Sequence, residues 1–304
     1  MVLQQLEPGQ DPQIEAAFAV ISEAAADILL LTNLDWDYHG ETLGALQARL
    51  AGQGLDYPFA FAPQPNTGLD TGFDLDGNGR FGEARDAQGY GWFTGQHGMA
   101  LLSRFPIEAE ATQDFSSLLW RDVPQNQISG AALPEGAEDV LRLSSTAHWD
   151  VPVQTPEGVL HLWAYAATPP VFDGPEDRNG RRNADENRFW LHYLNGTLPQ
   201  KPAPEPFVLL GLANLDPNRG EGKRDAILDL LIDPRLQDPA PKGPGAPASN
   251  PTATADFGES IGPLRVDYIL PAADLTVLDA GLIWPAPAQK GVKRALLWVD
   301  LARR

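Results

Sequence analysis

Residues 26–37 read ADILLLTNLDWD, and this stretch sets the architecture. An apolar run from Ile28 to Leu31 with polar residues on either side is the pattern of a strand buried on both faces. Before it, DPQIEAAFAVISEAAA (11–26) places Ile14, Ala17, Phe18, Ile21 and Ala25 at helical spacing. Asp11 suits the N-cap of that helix and Pro12 its first position. After it, ETLGALQARLAGQG (41–54) reads as a second helix closed by Gly52 or Gly54. A second buried strand, PFVLLGLANL (206–215), precedes a turn at 216–222 and a helix at 224–232.

The remaining chain extends this alternation. Residues 58–96 are rich in Gly, Pro, Asn and Asp and read as a long irregular insertion. GMALLSRFPI (98–107) is a short strand ending at Pro106. Residues 138–168 alternate like strands around the turn PEG (156–158). ENRFWLHYLNGTL (186–198) is a compact amphipathic helix with Phe189, Trp190 and Tyr193 on its apolar face. Residues 236–263 are Pro-, Gly- and Ala-rich, the composition of a flexible segment. Three strands close the chain at 264–271, 275–284 and 294–301, and no internal repeat of fixed period is visible. Helices alternating with buried strands predict two packed sheets covered by helices, in one domain over residues 1–304.

A net charge of −19 repels polyanions, so nucleic acid is disfavoured as a partner. The absence of cysteine excludes disulfides, thiolate catalysis and Cys-ligated zinc, and leaves the compartment open. No stretch has the length or apolarity to span a bilayer, and the first residues lack the pattern of a signal peptide.

Five segments carry a family resemblance: ADILLLTNLDWD (26–37), HWDVPV (148–153), TPPVFDGPEDRNGRRNADENRFW (168–190), LLGLANLDPN (209–218) and LRVDYIL (264–270). In order and spacing they resemble the endonuclease/exonuclease/phosphatase family. The resemblance implies a DNase I-like, four-layer α/β sandwich of two mixed sheets flanked by helices. It also implies hydrolysis of phosphate esters with a divalent metal. A hard Mg²⁺ or Mn²⁺ ion takes oxygen ligands, a base prepares water, and donors stabilise charge at phosphorus.

The positions matching that chemistry hold other residues. Asn33 stands where the family has a metal-binding Glu, and Ala166 where it has a phosphate-steadying His. In the segment matching Gly-Asp-x-Asn, Gly211 and Asn214 remain but Leu212 replaces the Asp. Lys293 and Arg294 occupy the closing Asp and His positions, while Asp267 is retained. The resemblance starts at the helix that follows the family's opening strand. It thus implies a catalytically degenerate relative that acts in binding or structure, with a protein or a small anion as partner. Lys293 and Arg294 would be the anion's contacts, or else solvated residues on a loop before the last strand. The alternative is a metal-dependent phosphoesterase working through a displaced site. Mg²⁺ or Mn²⁺ would then be shared among Asn214, Asp216, Asp267, Asp35 and Asp37. A shifted alignment would instead gather Asp35, Asp37, His148 and Asp150.

DLDGNGRFGEARD (74–86) is a second constellation. Asp74, Asp76 and Asn78 stand at alternate positions before Gly79, like the first half of a calcium loop. Arg85 occupies the place of the closing acid, with Glu83 and Asp86 beside it. Ca²⁺ binding and an Asx-rich turn both remain open at this stage. Residues 175–188 combine four arginines with four acids and read as a loop locked by ion pairs before a helix. Arg178, Arg181 or Arg182 is the anion contact in the other reading of that loop. Trp163, Trp190 and Trp298 fall in core patterns, and Trp36, Trp92 and Trp149 near the expected cleft. The histidines lack metal spacing and read as structural.

Overall fold

The computed structural model describes residues 6, 11–204, 206–285 and 293–303. Helix α1 (Pro12–Ala24) begins as the sequence predicts: the Asp11 carboxylate accepts the Gln13 N–H at 2.8 Å, with Pro12 at the first position. Strand β1 (Ile28–Leu34) and helix α2 (Glu41–Gly52) follow. Strand β2 is Phe59–Phe61, β3 Gly98–Ser103 and β4 Gln113–Asp114. A hairpin then joins β5 (Ala147–Thr155) to β6 (Gly158–Ala166). Helix α3 (Arg178–Leu194), strand β7 (Phe207–Leu212) and helix α4 (Asp225–Leu231) come next. The later strands are β8 (Ala255–Asp256), β9 (Pro263–Leu264), β10 (Asp267–Pro271), β11 (Leu275–Ile283), β12 (Lys293–Arg294) and β13 (Leu296–Arg303).

One sheet has the order β10-β7-β6-β5-β4, antiparallel except for the parallel pair β6–β7. The facing layer holds the sheet β1-β3-β2 and the pair β11-β13. Three apolar clusters separate four layers. Phe18, Ile21, Leu46 and Leu50 pack α1 and α2 onto Leu29 and Leu102. Met99, Trp149, Val151, Leu162 and Val208 fill the space between the sheets. Trp163, Tyr165, Phe189, Trp190 and Leu230 lie between the five-stranded sheet and helices α3 and α4. The alternation along β6 does the sorting: Leu162 and Ala164 face the other sheet, while Trp163 and Tyr165 face α3. β1 faces two clusters, Leu30 inward and Leu29 outward, which is why its sequence does not alternate.

Helix α3 starts at Arg178, eight residues before the predicted start at 186, so most of the segment read as an ion-paired loop is helical. Its polar residues are buried, and hydropathy therefore could not mark them as helix. Most of their bonds go to groups of neighbouring loops. Arg182 donates to the carbonyls of Leu143, Arg142 and Ser144. The Asn183 amide reaches those of Thr168 and Ala213. Asp185 accepts from the Trp120 indole at 2.7 Å and the Gln127 amide at 2.6 Å.

Other expectations also shift. Residues 138–146 bury Leu141 and Leu143 but form no named strand; Arg142 makes one isolated bridge to Leu119. The segment at 236–263 is anchored, with Ala253, Thr254 and Ala255 fully buried. Trp149 is sealed between the sheets against Phe61 and does not line a cleft. Trp298 is half-buried over Gly281, where an added Cβ would lie 2.7 Å from its ring.

Candidate functional site

Strand pairing assembles the positions singled out in the sequence. Ala166 on β6 pairs with Leu212 on β7, and Leu212 with Asp267 on β10. The three residues therefore stand in one row across adjacent strands. Ala166 and Leu212 are packed in the inter-sheet cluster, at 4% and 5% exposure. Neither offers a lone pair, so two of the three places supply packing in place of ligation.

Asp267 accepts the Thr254 hydroxyl at 2.8 Å and lies 3.3 Å from Arg294. β12 pairs with β8, setting Arg294 opposite Ala255, and its guanidinium sits 5.9 Å from the Phe257 ring centroid. Asp267 is thus already matched by a cation, Arg294. Asn214 has left-handed backbone at φ 52°, and its amide donates to the Ala167 carbonyl at 2.8 Å. It pins the end of β6 to the end of β7. Asn33 also has positive φ, 61°, at the irregularity in β1 between Thr32 and Leu34, and its side chain is exposed. The Lys293 side chain lies outside the described residues.

The candidate acids of a displaced site have separate employments. Asp37 caps α2, accepting from the amides of His39, Glu41 and Thr42. Asp35 accepts the His97 amide at 3.0 Å. Asp216 takes the amides of Asn218, Arg219 and Arg265 and the side chain of Asn250. No three of Asp35, Asp37, Asp216 and Asp267 bring carboxylate oxygens to a common point among the described residues.

The shifted set does not assemble either. His148 and Asp150 lie on the other face of the five-stranded sheet, under α3. Asp150 bonds His161 and the Tyr193 hydroxyl, each at 2.6 Å. The His148 ring stacks on Trp190, with Nε2 3.0 Å from the Glu186 carbonyl and Nδ1 2.7 Å from the Ser144 hydroxyl. The carbonyl can only accept, so Nε2 carries the proton and Nδ1 receives the Ser144 hydroxyl. Burial lowers His148 to about 4. Burial also raises Glu186 to about 7, against the pull of Arg182 and of hydrogen bonds from Ser145 and Thr168. Both groups are fully buried and hold the fold.

The acidic loop brings three carboxylates together. Ligand atoms of Asp74, Asp76 and Asp86 lie within 4.8 Å of one another. The Asn78 side-chain carbonyl accepts the Arg80 amide and its amino group donates to Glu83 at 2.7 Å. Asp86 is buried, held by the amides of Leu75 at 2.9 Å and Glu83 at 3.1 Å. Sequence spacing named Asp86 only as a neighbour of the closing position, because the tight turns at Gly77, Gly79 and Gly82 shorten the path to it. Thr254, the hydroxyl partner of Asp267, gave no signal within its Pro- and Ala-rich surroundings.

The rim near β1 is aromatic. Tyr38 and Trp92 are 85% and 73% exposed. Trp36 contacts Tyr38, and Tyr90 contacts Trp92, with ring centroids 6.5 and 6.4 Å apart. A backbone bond from Trp36 N–H to the Gly95 carbonyl ties the two segments together. Of the three tryptophans assigned to a cleft, Trp36 and Trp92 belong to this rim.

Three solved structures share the fold. An endonuclease/exonuclease/phosphatase from Beutenbergia cavernae DSM 12333 superposes with TM-score 0.55 at 17% identity over 92% of this chain, which spans 65% of that one. A family protein from Leptotrichia buccalis C-1013-b gives TM-score 0.56 at 14% identity, covering 98% of this chain and 96% of its own. Staphylococcus aureus beta toxin gives 0.50 at 12% identity, over 96% and 93%. No curated protein matches the chain. The four-layer sandwich of two packed sheets between helices is therefore the DNase I-like fold. With a family model matching residues 7–289, the chain belongs to the endonuclease/exonuclease/phosphatase family.

Proposed function

We propose that this chain is a catalytically degenerate member of its family and acts in binding or structure. The observation that carries the reading is the row Ala166–Leu212–Asp267. Two members are packed into the core, and the third is neutralised by Arg294 at 3.3 Å. A divalent cation placed there would meet one carboxylate, one methyl group, one isobutyl group and a competing guanidinium. Oxygen-rich coordination cannot be assembled from that set. The Arg294–Asp267 pair also argues against a free anion site at Arg294, whose charge is already engaged. The exposed aromatics Tyr38, Tyr90 and Trp92, with the half-buried Trp36 beside Tyr38, supply a surface suited to stacking contacts with a partner.

The test is hydrolysis of bis-p-nitrophenyl phosphate and p-nitrophenyl phosphate with Mg²⁺, Mn²⁺ or Ca²⁺. The expected result is no turnover above an EDTA-treated control. Robust metal-dependent turnover overturns the reading: its loss in Asp267→Asn assigns Asp267 to the working site, and its survival there points to acids other than Asp267.

The loop at 74–86 adds a separate reading: it holds Ca²⁺ through Asp74, Asp76 and Asp86. The three converging carboxylates support it.

A further inference from the structure

The aromatic rim is built from two chain segments. Trp36 and Tyr38 come from the turn after β1, and Tyr90 and Trp92 from the end of the insertion before β3. Two bonds tie the segments together: Trp36 N–H to the Gly95 carbonyl at 2.8 Å, and the His97 amide to the Asp35 carboxylate at 3.0 Å. The Trp92 amide is held in turn by the Gln96 side chain at 2.7 Å. The exposed rings of Tyr38, Tyr90 and Trp92 therefore project from fixed backbone, which lowers the cost of ordering them on a partner.

Charge around the rings is one-sided. Residues 33–48 and 86–103 hold no Lys or Arg but include Asp35, Asp37, Glu41 and Asp86. Of the arginines that bound these stretches in sequence, Arg49 and Arg104 pair with Glu15 and Asp27, and Arg85 is exposed. Asp37 is spent on the first turn of α2, and Asp35 bonds the His97 amide through Oδ1. Among the described residues neither carboxylate pairs with a cation, and Asp35 Oδ2 accepts no hydrogen bond.

Elsewhere the same molecule shows what completes such a surface. Among the described residues four arginines lie over aromatic rings: Arg49 over Phe18, Arg104 over Tyr57, Arg265 over Tyr268 and Arg294 over Phe257. Each of the four also bonds a carboxylate, at 2.5 to 3.3 Å. A planar guanidinium can stack on a ring and donate in-plane N–H groups to a carboxylate at the same time, which an ammonium cannot. The rim presents the rings and the carboxylates without the guanidinium. Two ring pairs, Trp36–Tyr38 and Tyr90–Trp92, offer places for two such groups on one chain, whose contacts reinforce each other. Anionic partners are repelled by the same charge.

We propose that the rim binds an arginine-bearing segment of a partner protein, its guanidinium groups laid on the exposed rings and one of them bonded to Asp35. This inference names the partner class left open by the binding reading and rests on it. The two fail separately: metal-dependent turnover overturns that reading whatever the rim binds, and an empty rim restores no hydrolysis.

The test uses the full chain and two peptides of equal charge, acetyl-GRRGRRG-amide and acetyl-GKKGKKG-amide. Calorimetry is run at about 0.15 M salt, where exposed charges are screened beyond about 8 Å. The arginine peptide should bind roughly fivefold tighter than the lysine peptide, because only the former can stack and pair at once. The double variant Tyr38→Ser/Trp92→Ser should erase that preference while keeping the parent's melting temperature, since both side chains are mostly exposed. Asp35→Asn, which keeps an acceptor for the His97 amide, should weaken the arginine peptide severalfold. Asp279→Asn, the same charge change at an exposed site on β11, should not. Equal affinity for the two peptides, binding of neither, or an unchanged preference in the double variant overturns the proposal. So does binding to phosphatidylcholine vesicles, or self-association in sedimentation, that is lost in the double variant; either result assigns the rim to a lipid surface or to a second copy of this chain.

Discussion

His148 offers a direct measurement of what the buried side of α3 contributes. Its ring is fully buried, stacked on Trp190, with both nitrogens engaged. A proton added at Nδ1 would lose the Ser144 hydrogen bond as drawn and place a charge among Tyr165, Phe189 and Trp190. Burial and the nearby Arg182 hold the group down to about 4, against an ordinary value of 6.5. The unfolded chain therefore takes up the proton first as pH falls. The stabilisation is complete above pH 6.5 and drains away as pH approaches 4. At about 1.36 kcal/mol per unit, the 2.5-unit window amounts to roughly 3 kcal/mol. Glu186 has the opposite dependence: raised to about 7, its contribution is full below its ordinary value of 4.5 and is lost as pH rises through 7. The two slopes oppose each other in the parent protein, so a single profile hides both. Comparison with His148→Gln isolates the histidine, because the glutamine amide can reproduce both hydrogen bonds without titrating and Glu186 is common to both proteins. Urea unfolding at half-unit steps from pH 7.5 to 4 measures the difference. The stability of the parent relative to the variant should be constant above pH 6.5 and fall by about 3 kcal/mol by pH 4. A constant difference across the window would refute the assignment of a neutral, desolvated imidazole.

Leu212→Asp would place a second carboxylate in the row, inside the inter-sheet cluster; urea unfolding should show a loss of about 3 kcal/mol or more. Asp185→Ala removes the acceptor of the Trp120 indole and the Gln127 amide, and should cost about 2–4 kcal/mol in the same assay. Gly211→Ala, at φ 150° and directly against the Tyr165 carbonyl, should fail to accumulate as folded protein or should melt far below the parent, judged by differential scanning fluorimetry. Millimolar Ca²⁺ added to chelated protein should raise the melting temperature, the stabilisation reaching about 2.7 kcal/mol at a hundredfold excess over Kd. Asp76→Ala should erase that gain, and an unchanged melting temperature in the parent would leave only a turn.

The sequence by itself determined those features in which local pattern and burial agree. Helix α1 was legible from its apolar spacing and the Asp11–Pro12 cap, and β1 from an apolar run too short for a helix and too continuous for a one-sided strand. Ala166, Leu212 and Arg294 could also be singled out, because their neighbours follow the order of the family they resemble. What these residues do was not visible. Only the register across β6, β7 and β10 places Ala166, Leu212 and Asp267 in one row, and only the pairing of β12 with β8 brings Arg294 to the remaining acid. The start of α3 was hidden for a related reason. Arg182, Asn183, Asp185 and Glu186 are buried by virtue of partners 15 to 65 residues away, so local hydropathy assigned them to solvent. Asp86 likewise joins Asp74 and Asp76 through a folded loop and not through spacing. Local chemistry specifies elements and caps, whereas the value of a buried polar or charged group depends on the partner that the rest of the chain delivers to it.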